Sequence, residues 1–169
     1  KIIKEDPETI AGFVAEPVQG AGGCIPPSKS YFDLVQPILK KYNIPFIADE
    51  VICGFGRTGN LWGCETYNIK PDIIISSKCL TAGYFPMGAV IVNKEFSDKF
   101  VEVSEEAEEF PHGFTAGGHP VGCAIALKAI DVIMNEGLLD NVKLMEPYFF
   151  ERLNEFNDYE HIGETRGIG

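Results

Sequence analysis

The sequence predicts an α/β protein with a mostly parallel sheet flanked by helices. Three observations predict it. Short apolar runs alternate with longer stretches of helical spacing, the apolar runs are nearly continuous, and glycine and proline crowd at the junctions. A near-continuous apolar strand is what a sheet covered on both faces requires.

Each element follows from its own pattern. Residues 10–16 (IAGFVAE) form an apolar run stopped by Pro17, a buried-strand signal. Residues 30–42 carry Tyr31, Leu34, Val35, Ile38 and Leu39 at helical spacing. Residues 45–51 (PFIADEV) read as a second strand that runs into charge, and 61–67 as one short helix. Residues 72–77 (DIIISS) and 87–92 (MGAVIV) read as a third and a fourth strand, and 96–101 as a short helix. The acidic run 102–109 reads as a solvated surface segment. Residues 119–135 are helical, with Val121, Ala124, Ile125, Leu127, Ala129 and Ile133 along one side, and 138–156 are a second long helix despite Pro147. Glycines cluster at 20–23, 54–59 and 113–118, which marks short ordered loops at element ends.

Composition narrows the function classes. The chain has 169 residues, 45% hydrophobic and 23% charged, which suits one globular domain and excludes a disordered tail or a collagen-like fibre. No apolar run reaches about 18 residues, so no membrane-spanning helix is expected. No secretory signal is visible in these residues. The net charge of −11 disfavours nucleic acid as a partner, although backbone N–H groups can still build a local anion site. The five cysteines, 24, 53, 64, 79 and 123, include no C-x-x-C pair. They read as free thiols in a reducing compartment, with no metal site and a cytoplasmic location expected.

In parallel sheets ligands bind beyond the carboxyl ends of the strands. Those ends carry Glu16, Asp49 with Glu50, and Lys78. Two readings are open for Lys78: a surface lysine leaving the sheet, or an amine able to form a Schiff base with a carbonyl. Asp49 ends an apolar strand, where a carboxylate wants a cation; it either caps the next turn or serves a protonated pyridine nitrogen. Thr115 lies in the small-residue loop Gly113-Phe114-Thr115-Ala116-Gly117-Gly118, just before His119-Pro120 opens a helix. Such a loop is an ordinary capped turn or a phosphate site. The stretch 53–59 (CGFGRTG) lacks the full P-loop pattern.

Four stretches in register carry a resemblance: AEPVQGAGG at 15–23, ADEVICGFGRTG at 48–59, PDIIISSKCLTAGYFPMGAVIV at 71–92 and HGFTAGGHPVGCAIAL at 112–127. In them the chain resembles the class-III (omega) aminotransferases, pyridoxal-phosphate enzymes of fold type I, over nearly its whole length. The resemblance implies that Lys78 is the Schiff-base lysine and Asp49 the partner of the pyridine nitrogen. It implies that Val51 packs on a face of the ring. It makes Thr115, with Phe114 beside it, the phosphate contact lent by the neighbouring subunit of a homodimer. Glu16 is similar to the glutamate that gates substrates by pairing with a mobile arginine. Ile52 stands where some members carry glutamine, and with GFGRTG it resembles the subgroup that uses pyruvate as acceptor.

The implied function is transfer of an amino group from an omega-amino acid, amine or polyamine to a keto acid through pyridoxal 5'-phosphate. Another class-III enzyme, an aminomutase or decarboxylase, and an inactive fragment retaining the fold are the alternatives. Members of the family are more than twice as long. The chain is therefore expected to be an internal piece, with 1–137 the later part of the large cofactor domain and 138–169 a helix leading to the edge of the small C-terminal domain.

Overall fold

The computed structural model describes residues 2–110 and 112–169. A single helical turn, α1 (Ile2–Glu5), and a 3-10 turn (Pro7–Thr9) lead into β1 (Phe13–Ala15). Helix α2 (Tyr31–Lys41) carries the chain to β2 (Phe46–Asp49), and the short α3 (Gly63–Thr66) precedes β3 (Ile73–Ser76). A 3-10 turn (Lys78–Leu80) and β4 (Ala89–Val92) follow, then α4 (Lys94–Ala107), α5 (Pro120–Asn135), α6 (Leu138–Asn154) and a last 3-10 turn (Glu155–Asp158).

The strands form one sheet in chain order, β1-β2-β3-β4. The first three are parallel, with Phe13 beside Phe46 and Asp49 beside Ile75. The fourth is antiparallel, with Ser76 beside Ala89. A parallel return needs a crossover, usually helical. Only a 3-10 turn stands between β3 and β4, so the chain doubles back at the sheet edge. The mostly parallel α/β expectation therefore holds, with this one antiparallel edge strand.

One face of the sheet packs on α2 and α3 through Phe32, Leu39, Ile44, Phe46, Ala48, Cys64 and Ile69. Phe32 and Phe46 stack at 5.9 Å between ring centres. A second cluster, Phe55, Leu80, Ala126 and Ile133, seats α5 against the turn after β3.

Helix α4 is longer than its apolar spacing predicts and absorbs most of the acidic run. Asn93 caps it, accepting from the Phe96 amide at 3.0 Å. Pairs Lys94–Asp98 and Lys99–Glu95 line its exposed side. The run is solvated as expected, but it is helical. Helix α3 is shorter than predicted, a single turn. Gly137, at a left-handed φ of 71°, breaks the chain between α5 and α6.

Candidate active site

The parallel register brings three strand ends to one edge. Glu16 follows β1, Asp49 closes β2, and Lys78 stands two residues beyond β3. These predicted residues therefore share one side of the sheet, and Val51 lies on the turn just after Asp49.

Lys78 is exposed and opens the 3-10 turn with a left-handed φ of 46°. A residue with a side chain is strained there, and the neighbours must hold it. Ser77 donates its hydroxyl to the Met87 carbonyl at 2.9 Å, and Thr81 donates to the Phe85 carbonyl at 2.6 Å. The Leu80 amide returns to the Ser77 carbonyl at 3.0 Å. From the 53–59 loop, the Arg57 guanidinium donates to the Cys79 sulfur at 3.1 Å. Lysine is thus presented by a turn bonded along its length.

Asp49 is half-buried, and its Oδ1 accepts from the Val51 amide at 3.0 Å. That bond caps the turn after β2, one of the two readings the sequence left open for Asp49. Glu16 is half-buried and accepts from the Gly20 amide at 2.8 Å, closing its own loop. That loop lies on Ile52: a Cβ at Gly20 would collide with the isoleucine side chain. Ile52 therefore packs closely against the Glu16 loop.

Thr115 and Phe114 are exposed in a turn before α5, with Phe114 82% accessible. The His119 ring accepts from the Val121 amide at 3.3 Å and caps the helix, as the His-Pro opening predicts. Among the described residues, no hydrogen bond or ring contact joins Thr115 or Phe114 to the strand-end residues. Helix α5 itself does reach them, because its Ala126 packs with Leu80 in the turn that Lys78 opens.

Three residues went unread or nearly so. Glu50, noted only as a polar strand end, is fully buried; its Oε2 accepts from the Gly63 amide at 2.9 Å and its Oε1 from the Cys64 amide at 2.6 Å. Arg57 sits in a stretch tested only for phosphate binding. Arg166 donates to the Gly23 carbonyl at 2.9 Å and to the Cys24 carbonyl at 3.2 Å. The doublet Asp49-Glu50 at the end of an apolar run was the available signal for Glu50, because alternation must send one of the two to the covered face. Nothing local to Arg166 reveals a partner so distant in the chain.

Burial tunes the cysteines around Glu50. Burial pushes the Cys53 thiol up to about 11 from its ordinary 9.0, and the nearby Glu50, Glu16 and Asp49 carboxylates add to the rise. Burial, and then the Glu50 carboxylate, push the Cys64 thiol up further. Both are neutral thiols in a packed interior.

The donor set suits a pyridine aldehyde. An amine and a carboxylate stand at adjacent strand ends, the apolar Val51 follows on the turn after Asp49, and a hydroxyl-bearing loop lies ahead of α5. These residues fit pyridoxal phosphate.

Comparison with known proteins agrees. The family model described as Aminotransferase class-III matches residues 1–169. The chain is 54% identical to gamma aminobutyrate transaminase 3, chloroplastic, of Solanum lycopersicum, over 99% of its own length and 32% of the relative's. It is 52% identical to the tomato gamma aminobutyrate transaminase 1, mitochondrial, covering 33% of that protein. Among solved structures, an omega-aminotransferase from Paracoccus denitrificans is 64% identical with a TM-score of 0.95, over 99% of this chain and 37% of that one. A PMP-bound aminotransferase from Vibrio fluvialis is 65% identical, also with a TM-score of 0.95, over 99% of this chain and 37% of that one. The chain thus spans about a third of the length of the proteins it matches. The relatives' names also overturn the cytoplasmic expectation, since they place close relatives in chloroplasts and mitochondria. Free thiols indicate reducing surroundings, not one compartment.

Proposed function

We propose, from the premise that this chain belongs to the class-III aminotransferases, that the whole protein moves an amino group from an amine or amino acid to a keto acid. The observation that supports the reading is the placement of Lys78 and Asp49 at the same end of two paired parallel strands, with Lys78 opening a turn at a left-handed φ. Pyridoxal phosphate, the family's cofactor, supplies the electron sink once bound.

The residues of this chain do the rest. Lys78 is the amine that would hold the cofactor, and its Nζ would take and return the substrate proton. Asp49, steadied by the Val51 amide at its Oδ1, would hold a proton on the ring nitrogen. Val51 would orient the ring by packing. Glu16, closed on Gly20, is the substrate-gating carboxylate. Thr115, with Phe114, would hold the phosphate of the neighbouring subunit's cofactor in a homodimer, a role that suits a loop so exposed in a single chain. A terminal amine is the donor class, as the names of the relatives suggest, and Ile52 favours pyruvate as acceptor.

In the domain arrangement we propose, 1–137 belong to the large cofactor domain and 138–169 lead to the edge of the small one. The break at Gly137 supports that division.

The test is covalent. Borohydride reduction of the full-length protein should fix pyridoxal phosphate to Lys78, and mass spectrometry of the digest should find it there. Lys78→Ala should lose the visible absorption band and turnover while far-ultraviolet circular dichroism stays unchanged. Cofactor still fixed to protein by borohydride in that variant overturns the assignment.

A further inference from the structure

Glu50 is the largest side chain in the described residues with no exposure at all. A buried carboxylate is costly unless its lone pairs are met. Here all four polar groups of the residue are engaged. Its amide donates to the Ile75 carbonyl at 2.9 Å, extending the β2–β3 ladder by one bond. Its carbonyl accepts from the Gly54 amide at 2.8 Å. Its carboxylate takes the Gly63 and Cys64 amides at 2.9 and 2.6 Å. The approach is close enough to dictate the partner. A Cβ at Gly63 would come within 3.2 Å of Glu50 Oε2 and 2.6 Å of Cys53 Cβ.

Position gives this anchor its meaning. Glu50 sits between Asp49 and Val51, and the Asp49 carboxylate is itself held by the Val51 amide. Strand alternation sends Glu50 to the covered face and Asp49 to the opposite one. Fixing Glu50 at four points therefore fixes where Asp49 emerges and where Val51 can place its N–H. A charged acceptor does this better than a neutral one, because both oxygens can take a backbone donor.

We propose that Glu50 is a positioning residue for Asp49. Its buried carboxylate ties the end of β2 to the Gly63–Cys64 amides, and so keeps the Asp49 carboxylate where it can hold a proton on the cofactor ring nitrogen. This rests on the cofactor reading above.

The experiment uses the full-length protein, wild type and the variants Glu50→Gln, Glu50→Asp and Asp49→Asn. Glutamine keeps the shape but turns an NH₂ toward one of the two amides. Aspartate keeps the charge but falls short by a methylene. Each is loaded with pyridoxal phosphate labelled with ¹⁵N in the ring, and the nitrogen resonance reads protonation directly. Cofactor affinity, kcat, KM for the amine donor and the thermal midpoint are measured alongside. The expected result is that Glu50→Gln moves the ¹⁵N resonance in the same direction as Asp49→Asn and lowers kcat at saturating cofactor by tenfold or more, with KM changed less than threefold. Glu50→Asp should lie between wild type and Glu50→Gln, and it decides the matter if the glutamine variant does not fold. A wild-type resonance and kcat in a folded Glu50 variant, with only the thermal midpoint lowered, overturns the proposal. If the Asp49→Asn resonance equals that of wild type, the cofactor reading itself falls and Glu50 falls with it.

Discussion

At the scale of single residues, the interior around Glu50 makes a prediction about pH. Cys53 is raised to about 11 in the folded chain from an ordinary 9.0. Below 9 both states keep the proton, and the thiol contributes no pH dependence. Between 9 and 11 the unfolded chain releases it and the folded chain does not, so stability falls as pH rises through that window. Cys64, shifted in the same direction, steepens the fall. For Cys53 alone the loss is on the order of 2 kcal/mol. Urea unfolding of the full-length protein at pH 8.5 and 10.5 should show it, and Cys53→Ala should flatten the difference. An equal drop in that variant would remove Cys53 as the cause. The same residues show what a sequence conceals. Lys78, Asp49 and Glu16 were legible because each ends an apolar strand, where charge is conspicuous. Glu50 was equally conspicuous, but its task is set by two amides that lie 13 and 14 residues further on. Only the fold brings them to it.

At the scale of elements, hydrophobic period located all four strands and the long helices, because burial imposes that period. It failed where polar contacts decide. Helix α4 has no buried residue and continues through a run of glutamates. Its start is decided by Asn93, which also donates to Asp72 Oδ1 at 2.9 Å and so pins the helix to the beginning of β3. Replacing Asn93 by alanine removes a cap worth about 1–2 kcal/mol. Hydrogen exchange at the Phe96 and Ser97 amides should speed up about five- to thirtyfold, while amides in β2 remain unchanged. Unaltered exchange at Phe96 would mean that the cap carries no energy. The antiparallel β4 was similarly out of reach, since MGAVIV reads as an apolar strand in either direction and only the lack of a crossover helix fixes the sense.

At the scale of the whole molecule, the exposed Thr115 loop and the proposed homodimer stand or fall together. A hydroxyl bonded to a phosphate dianion is worth roughly 1.5–3 kcal/mol. Thr115→Ala should therefore weaken cofactor binding by about one to two orders of magnitude. Mixing Lys78→Ala subunits with Thr115→Ala subunits makes the test geometric. With shared sites, each heterodimer has one site with both lesions and one with neither, and wild-type affinity returns in that half. Heterodimers without any high-affinity site would reject the arrangement. The Arg166 latch carries a consequence of another kind, about time. Its partners, the carbonyls of Gly23 and Cys24, lie 143 and 142 residues earlier. On a ribosome adding about 5–20 residues per second, the loop after β1 waits roughly 7–30 seconds before its guanidinium is made. A contact closing so long a stretch forms late in folding. Arg166→Ala should then leave the refolding rate of the full-length protein unchanged and quicken its unfolding. A slowed refolding limb would place the latch in the folding nucleus instead.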